Sequence, residues 1–314
     1  MHQIHTVTLN PVIDLIYEVN QFTKGTTFRA DEMRFIPAGK GINVSYALSC
    51  MGEESHAYAL IGWKDNDLFA DACRERGIHF HPHPGVFQTR RHCTILERKT
   101  GMTTHVQILG DAIPLGPVSS LIKELTQQIQ AGDWVVFSGS VPPSVPFEIY
   151  GEMTEQIHLK GGKVLLDSSG DPLRKGVESR PDLLKVNQSE AEELTGISMN
   201  QVDDAIRAYR DIYRTTHIPL IAISLGKQGL VAGYCNEVLH LSIEMHGKEV
   251  CDTVGCGDAM VAGMLYGLNH GFEPEALFRY GIACASASVL QIGPGQFEWS
   301  DMERMLNRIR IREL

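Results

Sequence analysis

Nowhere does the chain run to the ~18 consecutive apolar residues that a membrane helix needs, so no transmembrane segment is expected. The opening stretch, Met1 to Leu9, lacks a basic region followed by an apolar one, so no signal peptide is expected either. Positive charge is also short: 28 Lys and Arg face 38 Asp and Glu, a net charge of −10. Nucleic acids and anionic membranes both want a positive footprint, so neither is an expected partner. A phosphorylated ligand held by a few local cations is compatible with that balance. The 7 cysteines are scattered and none form C-x-x-C, which points to a reduced, cytoplasmic protein using cysteine as small apolar filler. Two nucleotide signatures are missing as well. A Walker A loop needs Gly-Lys followed by Ser or Thr, but Lys40, Lys163, Lys227 and Lys248 are followed by Gly41, Val164, Gln228 and Glu249. A dinucleotide G-x-G-x-x-G fails at Val44 and again at Met260.

What remains is an ordinary globular composition, 43% hydrophobic and 21% charged over 314 residues, enough to bury a core without disulfides. Short apolar runs alternate with longer amphipathic ones. Trp134–Phe137, Val164–Leu166, Leu183–Val186 and Leu220–Ile223 read as strands; residues 119–130, 148–159 and 202–213 read as the helices between them. That alternation predicts an α/β fold with a mostly parallel central sheet covered by helices. Residues 12–35 and 88–110 break the rhythm: they are rich in Thr, Ile, Val and Phe with polar residues interleaved, and 88–96 and 103–109 flank a Lys99-Thr100-Gly101 turn. They predict either a small separate sheet or edge strands of the main one. The last third is helical over 259–269, 274–292 and 300–309, the first two buried on more than one face, with a hairpin at 230–243 before them.

Six constellations could carry chemistry. Asp252-Thr253-Val254-Gly255-Cys256-Gly257-Asp258 leads straight into a helix. Its glycines let a ligand approach the backbone, and a helix start offers free N–H groups and the positive dipole end to an anion. A carboxylate beside such a site suits proton abstraction from a nucleophile; Asp258 as a plain N-cap is the alternative. Gly39-Lys40-Gly41-Ile42-Asn43 repeats the glycine-then-helix pattern with a cation. Asp14 follows the first strand. Asn187 and Glu190 stand three apart where a strand turns into a helix, a spacing that suits water-coordinated Mg²⁺ or an ordinary first helical turn. Ser224-Leu225-Gly226-Lys227-Gln228-Gly229 follows another strand, where nucleotide phosphates or ribose can lie. His79, His81 and His83 alternate and so share one strand face, either as a metal site or as a solvated strand.

Taken in order, these segments resemble the ribokinase-like (PfkB) carbohydrate kinase superfamily, in its 1-phosphofructokinase and tagatose-6-phosphate kinase branch. The motifs are Thr8-Leu9-Asn10-Pro11-Val12-Ile13-Asp14, Gly39–Leu48, Thr89-Arg90, Ser138-Gly139-Ser140-Val141-Pro142-Pro143, Asp167-Ser168-Ser169-Gly170, Lys185-x-Asn187-x-x-Glu190, Ser224-Leu225-Gly226 and Asp252–Asp258. The resemblance implies a large α/β domain (1–11, 36–87 and 111–314) and a discontinuous β-sheet lid (12–35 and 88–110). It implies transfer of the γ-phosphoryl of ATP to a hydroxyl of a phosphorylated ketohexose. Asp258 would be the base, and the Gly255-Cys256-Gly257 backbone the anion hole. Asp14, Arg29, Gly39, Lys40, Asn43, Arg90 and Ser138 would bind the sugar. Asn187, Ser224, Gly226 and Gly229 would bind ATP, with Asn187 and Glu190 holding Mg²⁺ through water. A lid sheet has edges and an apolar face that want cover, which a homodimer through the lid would supply.

The chain departs from the branch in places. Ala38 stands for a Gly, Cys256 for an Ala and Val186 for a Pro. Members that bind phosphorylated sugars carry a Lys two residues before an Arg; here Arg29 is preceded by Thr27. Two other readings therefore stand beside the first: a kinase of an unphosphorylated sugar or nucleoside, and a sugar-binding regulatory protein on the same scaffold.

Overall fold

The computed structural model describes residues 2–245, 251 and 253–314. The chain runs β1 (Ile4–Thr8), β2 (Val12–Val19), β3 (Glu32–Ala38), α1 (Lys40–Cys50), β4 (His56–Gly62), α2 (Asn66–Arg74), β5 (His79–Gly85), β6 (Arg90–Glu97) and β7 (Thr103–Val106). It continues through α3 (Leu115–Gln128), β8 (Trp134–Ser138), α4 (Ile149–Leu159), β9 (Lys163–Asp167), α5 (Gly170–Glu178), β10 (Leu183–Asn187), α6 (Gln188–Thr195) and α7 (Val202–Thr216). Then follow β11 (Leu220–Ser224), β12 (Leu230–Tyr234), β13 (Glu237–Ile243), α8 (Cys256–Asn269), α9 (Pro274–Ser288), α10 (Trp299–Leu306) and β14 (Ile309–Glu313).

A ten-stranded sheet has the order β14-β13-β12-β11-β10-β9-β8-β1-β4-β5. It is parallel from β11 to β5 and antiparallel from β11 out to β14. Each central strand is apolar on both faces because helices cover both. Val135 and Phe137 of β8 pack with α3, α4 and α7, whereas Trp134 and Val136 pack with α1, α8, α9 and α10. Burying such side chains contributes about 1.5–3 kcal/mol each. The α/β class with a largely parallel sheet is as the sequence predicts, and α8 and α9 are buried along nearly their whole length. No helix among the described residues is long and apolar enough to cross a membrane.

The two helix-poor segments form a second, four-stranded sheet, β3-β2-β6-β7, rather than edges of the first. Its second strand in the chain, β3, continues to Ala38, paired with Val12, beyond the expected boundary at 35. Pairing persists until Gly39 turns the chain into α1. The C-terminus also differs from expectation. The last helix stops at Leu306, and Ile309-Arg310-Ile311-Arg312 adds an edge strand to β13. Its period-two pattern puts Ile309 and Ile311 on the core while the arginines face out.

The alternating histidines lie on the edge strand β5. His81 and His83 reach Glu124 of α3 at 2.7 and 3.3 Å, and His56 Nδ1 lies 3.0 Å from His81 Nε2. Among the described residues no group of three or more His, Cys, Asp or Glu side chains is arranged to hold a metal ion. The row continues inwards, His79 stacking on His56 and His56 on the fully buried His5. Burial, then the neighbouring His56, lowers the His5 pKa to about 4, against a partial pull from Asp133. A histidine whose folded pKa lies below its unfolded value stabilises the fold above pH 6.5 and loses that contribution as pH falls towards 4. The expected loss is roughly 3 kcal/mol over that window. Melting curves of wild type and His5→Phe between pH 7 and 4.5 check this: the variant should melt with a shallower pH slope, and identical slopes would remove His5 from the account.

Candidate active site

The candidate site lies along the C-terminal ends of the parallel strands, where open α/β sheets hold their ligands. Thr8 ends β1, Ser138 β8, Asp167 β9, Asn187 β10 and Ser224 β11. Above them stand the starts of α1 and α8 and the root of the small sheet.

Helix α8 starts at Gly255, whose φ of 78° is a left-handed conformation that side chains resist. A Cβ there would meet Pro294 Cα at 2.7 Å, so glycine is required twice over. Among the described residues no side chain caps this helix; the Cys256 N–H turns back to Thr253 O at 3.5 Å, and the Gly257 and Asp258 N–H groups are the first-turn donors offered to a ligand. Asp258 is therefore not a cap. Its carboxylate is 4% exposed and accepts a hydrogen bond from Asn43 Nδ2 at 2.7 Å. Burial raises its pKa to about 6, with Asp167 adding to the rise while Lys40, Asn43 and Lys185 oppose it. Asp252, at the head of the motif, lies outside the described residues.

The start of α1 is built for close approach. Gly39 has φ 143°, and its Cβ would lie 2.6 Å from Thr8 Cγ2. Thr8 Oγ1 accepts the Ile42 N–H, pinning the helix to the end of β1. Asn43, expected among the sugar contacts, reaches Asp258 with its amide and accepts the Gly39 N–H with its oxygen, at 3.3 Å.

Beneath these groups is an ionic cluster centred on Asp167, which is fully buried. Lys40 Nζ and Lys185 Nζ each lie 3.2 Å from Asp167 Oδ1, and Ser138 Oγ donates to Oδ2 at 3.1 Å. Burial works against the Asp167 charge, but Lys185 and Lys40 outweigh it and hold the carboxyl below its usual range. Burial likewise works against the Lys40 charge, but Asp167, Asp258 and Glu190 together push its pKa up. Lys185 is 4% exposed, and a Cβ on Gly257 would lie 2.8 Å from its Nζ, so this ammonium sits against the α8 N-terminus. Ser138, expected to touch substrate, is 1% exposed and donates its hydroxyl to Asp167. Asp167 and Lys185 were not among the expected site residues. The signal was present: a charge at the end of Val164–Leu166, or inside Leu183–Val186, must be paired when the strand is buried.

The structure takes several expected residues elsewhere. Asn187 and Glu190 form a reciprocal capping box on α6: Asn187 Oδ1 accepts the Glu190 N–H at 2.9 Å, and Glu190 Oε2 accepts the Asn187 N–H at 2.7 Å. That leaves the Glu190 Oε1 atom and the Asn187 amide nitrogen for other partners. Gly226 is open to approach, but Gly229 is glycine for packing, since a Cβ would lie 2.1 Å from Leu241 O. Ser224 faces the carbonyl of Val186 at 3.4 Å. Arg29 makes no hydrogen bond or ion pair with a site residue among those described. It is exposed in the loop between β2 and β3, near Asp31, whose N–H pairs with Glu18 O. Glu18 is four residues along β2 from Asp14, about 13 Å on an extended strand. Arg90 is at the site but occupied: its guanidinium donates to the carbonyls of Asn10, Pro11 and Ile108 at 2.9, 3.3 and 3.4 Å. Asp14, 8% exposed, stands on the adjacent strand and accepts a hydrogen bond from Thr94 Oγ1 at 2.9 Å.

This arrangement can deliver a proton acceptor, an anion-binding helix start and two cations to one reacting group. Comparison with known proteins shows the family. The profile of the pfkB family carbohydrate kinases matches residues 7–301. The chain is 30% identical over 311 residues to 1-phosphofructokinase of Bacillus subtilis (strain 168), covering 99% of this chain and 100% of that one. It is 31% identical over 266 residues to 1-phosphofructokinase of Xanthomonas campestris pv. campestris, covering 83% of each. Phosphofructokinase-2 from Escherichia coli, in complex with substrates and products, superposes with TM-score 0.91 at 25% identity over 97% of this chain and 98% of that one. Arabidopsis thaliana ribokinase, complexed with ribose and ATP, shares the fold with TM-score 0.75 at 18% identity over 98% and 99%. The chain belongs to the pfkB family of carbohydrate kinases, and it is a phosphotransferase.

Proposed function

We propose that the protein transfers the γ-phosphoryl of ATP to the free primary hydroxyl of a ketohexose phosphate, with fructose 1-phosphate the first candidate. The observation that carries the reading is the buried Asp258 carboxylate on the uncapped start of α8, with Lys185 against the same turn. The relatives named 1-phosphofructokinase support the choice of sugar.

Phosphoryl transfer needs positioning and charge stabilisation more than covalent help. The sugar oxygen attacks the γ-phosphorus, the bond to the β-phosphate oxygen breaks, and ADP departs. Asp258 takes the hydroxyl proton as that oxygen attacks. The first-turn N–H groups of α8 meet the charge on the transferred group. Lys40 and Lys185 stand on either side of Asp167, which holds both ammonium groups in place without solvent between. Asp14 accepts sugar hydroxyls, and the small sheet closes over the sugar to exclude water. The residues present suit a water-coordinated Mg²⁺ on the nucleotide: Glu190 keeps one carboxylate oxygen uncommitted and its charge is felt at Lys40. When bound, the ion would neutralise phosphate charge. Met33, Phe35 and Val106 of the small sheet are about half exposed, and we read that face as the contact with a second copy of the chain.

Three observations favour a second reading, a kinase of an unphosphorylated sugar. Three backbone carbonyls engage Arg90, Arg29 is exposed with no hydrogen bond to a site residue among those described, and position 27 is Thr. ADP release measured with Mg-ATP and fructose 1-phosphate, fructose 6-phosphate, tagatose 6-phosphate, fructose and adenosine separates the two. The first reading expects kcat/KM for one ketohexose phosphate to exceed that for any unphosphorylated substrate by about 10²-fold or more, the scale of a lost charged contact. Preference for plain fructose or adenosine overturns it, and no turnover with any of them would favour a binding protein.

A further inference from the structure

We propose that Thr94 and His105 are positioning residues for the sugar-binding carboxylate, acting through a hydrogen-bonded chain that runs from the edge of the small sheet to Asp14. The proposal rests on the assignment of Asp14 to the sugar.

The register brings the three residues together. In the parallel pair β2–β6, Val12, Asp14 and Ile16 lie opposite Arg90, His92 and Thr94, so these side chains share one face. In the antiparallel pair β6–β7, Thr94 lies opposite His105. Thr94 Oγ1 donates to Asp14 Oδ1 at 2.9 Å. A threonine hydroxyl has one proton, and here the carboxylate takes it. The 3.1 Å contact between Thr94 Oγ1 and His105 Nδ1 must then run the other way, with Nδ1–H donating to the hydroxyl. The chain is directional: His105 to Thr94 to Asp14. It also fixes the His105 tautomer with the proton on Nδ1.

The consequence falls on Asp14. Oδ1 is spent on Thr94, and among the described residues no side chain or backbone group is bonded to Oδ2, which is left for a sugar hydroxyl. Thr94 is 3% exposed, so water does not readily replace it as donor. Arg90 and His92 flank Asp14 on the same face and are competing partners for the carboxylate. With the hydroxyl removed, the carboxylate is free to turn towards them and away from the sugar. His105, exposed on the edge strand, has no contact with the site of its own and works only by keeping the Thr94 hydroxyl oriented.

Steady-state kinetics of the full-length enzyme with Mg-ATP and fructose 1-phosphate, or the best substrate of the panel above, test the chain. Thr94→Val should raise the sugar KM about tenfold while the ATP KM and kcat stay within about twofold. Thr94→Ser, which keeps the hydroxyl, should return the sugar KM to near wild type. His105→Asn keeps an N–H close to the Nδ1 position and should behave as wild type, whereas His105→Ala should raise the sugar KM about threefold. Asp14→Asn is the reference. If it raises the sugar KM but Thr94→Val matches Thr94→Ser, or shifts both KM values alike, the chain is refuted and Asp14 stands. If Asp14→Asn leaves the sugar KM unchanged, the assignment of Asp14 itself fails and takes the chain with it. Should Thr94→Val not fold, as a melting curve reveals, the His105→Asn and His105→Ala pair decides alone, since that residue is exposed.

Discussion

Asp258→Asn will lower kcat by about 10²–10⁴-fold, the usual scale for losing a general base, while sugar and ATP still bind. The amide keeps the shape and can still meet Asn43 after a flip, but it cannot accept the sugar proton. The pH profile of the wild type carries the same signature. A base works only when deprotonated, and burial has raised Asp258 to about 6. The rate should therefore fall as pH drops through about 6, a pH at which an unperturbed aspartate would still be ionised and active. Stability moves the opposite way. An acid whose folded pKa is raised costs stability wherever it is ionised, on the order of 1–3 kcal/mol at pH 7 for this shift. The Asn variant should thus melt at or above the wild-type temperature while being nearly inactive, which separates loss of the base from loss of the fold. Near-normal turnover in a well-folded Asp258→Asn would end the assignment.

Asp167→Asn will destabilise the protein by about 3–5 kcal/mol, because it strips the counter-charge from a lysine that is itself buried. Lys185 has nowhere to go: its chain is within a fully buried strand and its ammonium abuts Gly257. Lys40 is less affected, since its side chain is 35% exposed and can turn to solvent. Activity should fall too, as both cations lose the group that holds them beneath the α8 turn. The double variant Asp167→Asn/Lys185→Met recovers most of the stability, having no unpaired buried charge, but not the rate. Ser138→Ala should cost only about 1 kcal/mol, the net worth of one hydrogen bond to the cluster. Urea melts and kcat for the four proteins check the scheme; an Asp167→Asn variant as stable as wild type would show that the cluster does not hold its lysines as described.

Much of the layout could be read before the coordinates. Alternating apolar runs and amphipathic helices foretell a parallel sheet, because a strand covered on both faces must be apolar throughout. Gly255 foretells a left-handed turn into a helix, because a side chain there resists the positive φ that the turn needs. The helix-poor segments 12–35 and 88–110 foretell strands without crossover helices. These features are local: each depends on neighbours within a turn or a strand.

Partnership is what local pattern cannot carry. Asp167 meets Lys40 across 127 positions and Lys185 across 18, and Asn43 meets Asp258 across 215. Whether Asn43 binds sugar or steadies the base, whether Ser138 faces a substrate or a buried carboxylate, and whether Arg90 is free or clasped by carbonyls all depend on which chain segments pack together. Arg29 shows the same from the other side: its sequence context suits a phosphate contact, but only the packed chain says which groups its exposed side chain can reach. The sequence by itself determined most of the secondary elements, the glycine turns and the presence of a carboxylate in the first turn of α8, because those follow from backbone sterics and periodic burial. Only the tertiary structure decided which charges are paired and which oxygen of Asp14 is left for a ligand, because burial makes an unpaired charge costly and only the packed chain says what lies within reach.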